Sequence, residues 1–293
     1  MLGKLQKGYP LKDLTTWKAG GSCRDFAAPV TSAEAKGLLA KLLGNKEPFY
    51  VLGGGSNVLI QDGMLDALVL HTGRLEQFVA EEKGNKIEVE VQAGLPVKKL
   101  LEFAVKNSLG GCEFLAGIPG TVGGALWGNA GAAGIGFSET VTEIDTVEAD
   151  GGTRTWSVSE LNWRYRSCPF DELGTAMIIS ARLVMRHVER EEINKKIRGF
   201  SDLKKGQPIG KKTAGCIFKN PKGRSAGKLL DEAGCKGMRV GAAAVSQSHA
   251  NFIENDGDAR ASDIYKLCER CRARVLNAFG VKLEYEIRFI GEF

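Results

Sequence analysis

The chain has 293 residues, with 40 Lys and Arg against 35 Asp and Glu for a net charge of +5, and 43% hydrophobic residues. That length suits about two domains, and the composition excludes a disordered or fibrous chain. Glycine is the outlier at 38 residues against 8 prolines, about twice the usual share of ~7%. Ten of these glycines fall between Ser108 and Phe137. Low proline and the lack of a three-residue period leave folded uses for them, as tight turns or close backbone approach to a ligand. The mild charge suits a small anionic ligand, and without a basic tract it does not suit nucleic acid. No apolar run approaches the ~18 residues of a membrane span, and the first residues carry no secretory signal pattern. Seven cysteines, an odd number at scattered positions, argue against a disulfide framework and place the protein in the cytoplasm.

Taken in chain order, Thr31-Ser32-Ala33-Glu34 is a capping box, and Leu38, Leu39, Leu42 and Leu43 follow at helical spacing. Apolar runs at 49–52 and 57–60 flank Gly53-Gly54-Gly55 and predict two strands. Residues 67–70 predict a third strand, and the alternation over 86–92 a half-buried fourth. Pro96 opens a helix to 107. The glycine-rich stretch that follows has no period. Residues 141–149 and 153–156, turned at Gly151-Gly152, predict a hairpin, and 177–185 a further strand. The charged segment 189–205 predicts a helix connecting two domains. Beyond it come a helix over 226–233, a strand over 239–245, a helix over 262–279 and a strand over 281–290. The long helix places Ile264, Leu267, Cys271, Val275 and Ala278 on one face. Interleaved helices and strands make the chain α+β or α/β.

Two segments carry the strongest chemical signal. Leu52-Gly53-Gly54-Gly55-Ser56-Asn57 joins two strands and can expose backbone N–H groups as an anion nest. It lacks the third glycine and the long helix of a dinucleotide fingerprint. Gly117-Ile118-Pro119-Gly120-Thr121, continuing through Gly123-Gly124 to Asn129, lets a flat or phosphorylated ligand approach the main chain. The run from Gly206 to Thr213 imitates a phosphate-binding loop but has three residues between its glycines where four are needed, and no strand precedes it. Cys268-x-x-Cys271 is a single pair inside a helix and has no second pair to complete a zinc site, so no metal is expected.

Eight motifs then stand in order. They are Thr16-Trp17-Lys18-Ala19-Gly20-Gly21, the Leu52 to Asn57 run, the Gly117 to Gly124 run and Asn129-Ala130-Gly131-Ala132. They continue with Tyr165-Arg166-x-Cys168, Gly215-Cys216-Ile217-Phe218-Lys219-Asn220-Pro221, His249-Ala250-Asn251-Phe252 and Leu283-Glu284-Tyr285-Glu286-Ile287-Arg288. Together the eight resemble the UDP-N-acetylenolpyruvoylglucosamine reductase family, in its compact subclass without an extra substrate loop. The resemblance covers about 14–291.

The resemblance implies an α+β fold. A vanillyl-alcohol-oxidase-like (PCMH-type) FAD-binding domain would span 1–188, in subdomains of about 1–72 and 73–188. A connecting helix over 189–205 and an α+β substrate domain over 206–293 would follow. It implies noncovalent FAD and NADPH as co-substrate. The substrate would be UDP-N-acetylglucosamine enolpyruvate, reduced to UDP-N-acetylmuramate in peptidoglycan precursor synthesis by a cytoplasmic monomer without nucleic acid or membrane partners. The competing reading is an FAD oxidoreductase of the same superfamily with another substrate.

By motif match, Arg166, Cys216 and Glu286 are the catalytic residues. Arg166 would pair with the substrate carboxylate. Glu286 would hold a proton to support an enolate, which a buried site favours. Cys216 would protonate the carbon bearing the carboxylate. Most members carry serine there, and a thiol of reference pKa ~8.5 can serve the same role. FAD contacts fall on Leu52, Gly53, Gly54, Gly55, Ser56, Asn57, Gly117, Ile118, Pro119, Gly120, Thr121, Gly123, Gly124, Asn129, Gly131 and Ala132. Substrate contacts fall on Tyr165, Lys219, Asn220 and Arg288, with one of Lys211 and Lys212 reaching the diphosphate. Ala133 departs from the tyrosine usual in the family.

Overall fold

The structure is a computed structural model and describes residues 5–293. The fold is α+β, divided into two compact units. One is built mainly from Phe26–Gly54 and Leu68–Lys205, the other from Gln6–Asp25, Gly55–Ala67 and Gly206–Phe293. The division meets the boundaries drawn from sequence only at 205/206. Residues 6–25 and 55–67 group with the C-terminal residues, and the helix Arg190–Asp202 groups with the first unit rather than lying between two domains. Buried contacts explain this grouping. Trp17 is fully buried in the second unit's core, and its Nε1 donates to the Ile253 carbonyl at 2.8 Å. The strand Val58–Ile60 pairs in parallel with Arg288–Ile290, across some 230 residues of chain.

In the first unit the helix Ser32–Gly44 starts at its N-cap Thr31, whose Oγ1 accepts from the Glu34 N–H at 3.1 Å. The Glu34 carboxylate reaches back to the Val30 N–H at 2.8 Å, one residue further than a capping box requires. Leu38, Leu39 and Leu42 pack in one apolar core with Leu68 and Leu70. Phe49–Leu52 lies parallel to the second half of Met64–His71. A second, larger core lies against an antiparallel sheet. Its strand order is Thr153–Ser157, Val141–Glu148, Thr175–His187, Lys86–Gln92, Phe78–Lys83. The alternation over 86–92 is realised as Ile87, Val89 and Val91 buried. Pro96 is the residue before the helix Val97–Lys106, not its first turn. The glycine-rich stretch, which showed no period, contains the short helix Val122–Trp127 and a hairpin of Gly131–Ala132 against Ile135–Gly136. Ala133 and Gly134 form its two-residue turn, with φ of +53° and +86°. Two positive φ values are what a hairpin turn of the primed kind demands.

The two runs around Gly53-Gly54-Gly55 are strands, yet they do not pair with each other. Phe49–Leu52 pairs with Met64–His71, and Val58–Ile60 pairs with Arg288–Ile290. In the second unit, the segment expected as one strand over 239–245 is two, Arg239–Val240 and Ala243–Val245, turned at Gly241 with φ +54°. The strand expected over 281–290 survives only at Arg288–Ile290. Before it, Lys219 and Glu286 donate backbone bonds to Glu284 and Ile217 at 2.9 and 2.8 Å. Two successive stretches thus pair with two different partners, and the chain bends between them.

The helix Ala261–Phe279 buries Ile264, Leu267, Cys268, Cys271 and Val275, while Ala278 is exposed. Both cysteines of the Cys-x-x-Cys pair are core residues, and none of the seven cysteines is in a disulfide. Among the described residues no helix is long and apolar enough to cross a membrane.

The long helix is capped from a distant segment. The Asp62 carboxylate accepts from the N–H groups of Ala261 and Ser262 at 2.9 and 3.0 Å. Burial raises this carboxyl's pKa, but the Ser262 and Ala261 donors and the Arg260 charge outweigh burial and hold it below the usual carboxylate range. A depressed carboxylate stabilises the fold above its unfolded pKa, ~3.9, and that contribution is lost as pH falls through the folded value. Asp62→Ala should therefore cost about 0.5–2 kcal/mol at neutral pH. Urea titrations should show the gap to wild type closing as the pH is taken below about 4.

Candidate active site

The first unit brings the two glycine segments into direct contact. A β-carbon built on Gly53 would lie 2.6 Å from Thr121 Oγ1, and one on Gly54 would lie 2.7 Å from the Gly120 Cα. Leu52 and Gly53 are held from behind. Thr72 Oγ1 donates to the Leu52 carbonyl at 3.5 Å, and the half-buried His71 imidazole bonds the Gly53 backbone. Burial keeps His71 below its ordinary pKa. The result is one close-packed stretch of main chain in which Gly53, Gly54, Gly117 and Gly120 carry no β-carbon. Such a strip fits a flat ring or a diphosphate laid against backbone.

Several residues expected there also serve the fold. Gly123 is buried, and its N–H is committed to the Ala93 carbonyl at 2.8 Å. A β-carbon on it would stand 2.7 Å from Ala93 Cβ, so Gly123 is a packing glycine. Thr121 caps the helix Val122–Trp127, accepting from the Gly124 N–H at 3.4 Å. The Asn129 amide is used within the protein. Its Nδ2 donates to the Arg164 carbonyl at 3.1 Å, and its Oδ1 accepts from the Ser138 N–H at 3.3 Å. A β-carbon on Gly131 would lie 1.9 Å from the Ile135 carbonyl oxygen, so the hairpin itself requires that glycine.

Arg166 sits beside this loop. Its Nη1 and Nη2 donate to the carbonyls of Asn129 and Gly131 at 3.2 and 3.1 Å. These bonds fix the plane of the guanidinium. Both Arg166 and Asn129 have left-handed backbones, φ +49° and +41°. Such residues carry strain of about 1–3 kcal/mol each and persist only when the surroundings impose them. Tyr165 is 58% exposed, with the Arg166 guanidinium 5.6 Å from its ring centre. Lys204 was not singled out by any motif. Its Nζ donates to the Ala116 carbonyl, next to Gly117. Burial, and then the Arg166 charge, hold its pKa down to about 8.

The second unit gathers another group. Cys216 follows Gly215, which has φ +78°. Phe218 bridges to Tyr285 with rings stacked 5.1 Å apart. The Glu286 N–H donates to the Ile217 carbonyl at 2.8 Å, so Cys216 and Glu286 lie on hydrogen-bonded neighbouring segments, each half-buried. Both segments are braced by asparagine amides, Asn251 buried and Asn57 half-buried. Asn251 donates to the Phe218 carbonyl at 2.8 Å and accepts its N–H at 3.0 Å. Asn57 donates to the Glu286 carbonyl at 3.0 Å, and its own carbonyl accepts from the Arg288 N–H at 2.9 Å. The side chain of Asn57 thus positions Glu286. Tyr285 donates to the Glu269 carboxylate, and burial together with that bond pushes the phenol's pKa up. Asn220 Oδ1 accepts from the Ala226 N–H at 2.9 Å, and Arg288 is exposed.

Comparison with known proteins matches both parts of the chain. The family described as "FAD binding domain" matches residues 25–157, and "UDP-N-acetylenolpyruvoylglucosamine reductase, C-terminal domain" matches residues 207–290. The UDP-N-acetylenolpyruvoylglucosamine reductase of Syntrophobacter fumaroxidans is 40% identical, covering 99% of this chain and 86% of that protein. The protein of the same name from Moorella thermoacetica is 37% identical, covering 100% and 98%. The crystal structure of UDP-N-acetylenolpyruvylglucosamine reductase from Thermus caldophilus superposes with TM-score 0.84 at 34% identity, covering 98% of this chain and 99% of that one. The fold is accordingly an FAD-binding domain joined to a C-terminal α+β domain, and the chain belongs to the UDP-N-acetylenolpyruvoylglucosamine reductase family.

Proposed function

We propose that this chain reduces UDP-N-acetylglucosamine enolpyruvate to UDP-N-acetylmuramate in peptidoglycan precursor synthesis, acting as a cytoplasmic monomer. The observation that carries this reading is the placement of Cys216 beside Glu286 on paired segments, within a chain whose whole length matches the reductase family. The strip formed by Gly53, Gly54, Gly117 and Gly120 would hold FAD without a covalent bond. FAD, when bound, supplies the hydride relay, taking hydride from NADPH and passing it to the terminal methylene carbon of the enolpyruvyl group.

The side chains manage charge and proton. Hydride arriving at the methylene carbon places negative charge on the carbon bearing the carboxylate, drawn as an enolate. Arg166 pairs with that carboxylate. Its guanidinium plane is already fixed by the Asn129 and Gly131 carbonyls, so little ordering remains for the transition state. Glu286, carrying a proton, donates a hydrogen bond to the enolate oxygen. The Cys216 thiol transfers its proton to the carbon, completing addition of H⁻ and H⁺ across the double bond, and the thiolate regains a proton from water. Tyr165, Lys219, Asn220 and Arg288 would contact the substrate.

The purified holoenzyme should lose its flavin absorbance on anaerobic addition of NADPH and regain it on addition of the enolpyruvate substrate. A bleached protein that ignores this substrate would overturn the reading in favour of another substrate. Cys216→Ser should keep both steps. Cys216→Ala should keep bleaching by NADPH and slow the second step by about 10²–10⁴-fold, the usual worth of a positioned general acid. Normal turnover by Cys216→Ala would remove Cys216 from the mechanism.

A further inference from the structure

Ile217 and Phe218, which follow Cys216 directly, are bonded along both edges. On one edge the Ile217 carbonyl accepts from the Glu286 N–H at 2.8 Å, and the Lys219 N–H donates to the Glu284 carbonyl at 2.9 Å. On the other edge the partner is a single residue, Asn251. Its main-chain carbonyl accepts from the Ile217 N–H at 2.9 Å. Its Oδ1 accepts from the Phe218 N–H at 3.0 Å, and its Nδ2 donates to the Phe218 carbonyl at 2.8 Å. One residue thus does what a neighbouring strand would do, and at 2% exposure it does so out of water.

Asn251 is itself held. Its N–H donates to His249 Nδ1 at 3.2 Å, and the His249 ring meets Phe252 edge-on at 4.8 Å. A β-carbon on Gly227 would stand 2.8 Å from His249 Cε1, so the helix Ala226–Glu232 backs the imidazole directly. Only an amide of this length both accepts from one Phe218 group and donates to the other. An apolar side chain would leave both groups bare in a buried place.

The clasp bears on the thiol. On its N-terminal side Cys216 follows Gly215, at φ +78°, which restrains the chain little. Its position is therefore set from the C-terminal side, by 217 and 218. Glu286 has its own brace in Asn57, which donates to its carbonyl at 3.0 Å.

We propose that Asn251 is a positioning residue for the proton donor Cys216, holding the backbone from which the thiol reaches the substrate carbon. The proposal rests on the reading of Cys216 as the general acid.

The experiment follows flavin absorbance through each half of the reaction, on flavin-loaded protein. Asn251→Asp keeps the size and the acceptor for the Phe218 N–H but sets an oxygen against the Phe218 carbonyl. Flavin content and bleaching by NADPH should match wild type. Reoxidation by saturating UDP-N-acetylglucosamine enolpyruvate should slow about ten- to a hundredfold, the cost of a slightly misplaced group. In a Cys216→Ala background the same substitution should slow reoxidation no further, because the group it positions is gone. Asn251→Ser, which cannot serve both Phe218 groups, should repeat this pattern. Equal slowing in both backgrounds would make Asn251 a part of the fold alone. Unchanged reoxidation, or loss of flavin or folding in both variants, would do the same. Each of these outcomes overturns the proposal and leaves the proposed function standing. Normal turnover by Cys216→Ala alone would overturn the reading of Cys216, and this inference with it.

Discussion

Gly54 has no room for a β-carbon, because the Cα of Gly120 already occupies that side at contact distance. This backbone-to-backbone approach is the constraint around which the first unit's functional surface is built. It joins two segments some 65 residues apart into one strip and turns Thr121 toward Gly53. The strip has its own support. Thr72 and His71 hold 52–53, and Val97 and Val122 tie 120–122 to the strand-to-helix turn at 95–97. The segment from 116 to 131 is bonded by two cationic side chains, Lys204 at the Ala116 carbonyl and Arg166 at the carbonyls of Asn129 and Gly131.

Asparagine amides set the reactive backbone. Asn57 bonds the main chain of Glu286 itself, and Asn129 and Asn251 bond that of Arg164 and Phe218, two residues from Arg166 and Cys216. A side-chain amide both donates and accepts, so it can stand in for a missing strand partner where the chain is irregular. The need is plain at Tyr285-Glu286-Ile287. There the chain leaves one partner, at 217–219, for another at Val58–Ile60 and has no ladder of its own. Irregular backbone at a site needs such bracing, since a loosely held group loses much of its catalytic advantage.

Long elements with a clear period were legible. The helix from Ser32, the strand Lys86–Gln92 and the helix ending at Phe279 follow directly from apolar spacing and caps. Failures cluster where an apolar pattern outlasts its hydrogen-bond partner. Alternation over 281–290 holds in the burial of Leu283 and Ile287, but the strand does not. The helix Val122–Trp127 was hidden because three of the nine residues over 120–128 besides Gly120 are glycine, which masks any period. Among candidate site residues, Arg166, Cys216 and Glu286 were reached through motifs. Lys204 was not, because a lysine doublet reads as solvated surface, and only the fold shows that one member turns inward.

The sequence by itself determined the long periodic helices and strands, the two glycine segments and the family, since periodicity, caps and ordered motifs are local or linear properties. Tertiary structure alone decided which glycines close packing requires, because a missing β-carbon looks the same everywhere until its neighbour is known. Gly54 against Gly120 and Gly123 against Ala93 are two such positions. It also decided that Gln6–Asp25 and Gly55–Ala67 group with the C-terminal residues. The burial of Trp17 and the pairing of Val58–Ile60 with Arg288–Ile290 are contacts across more than 200 residues. No local pattern encodes such a partner, and only closing the chain on itself selects it.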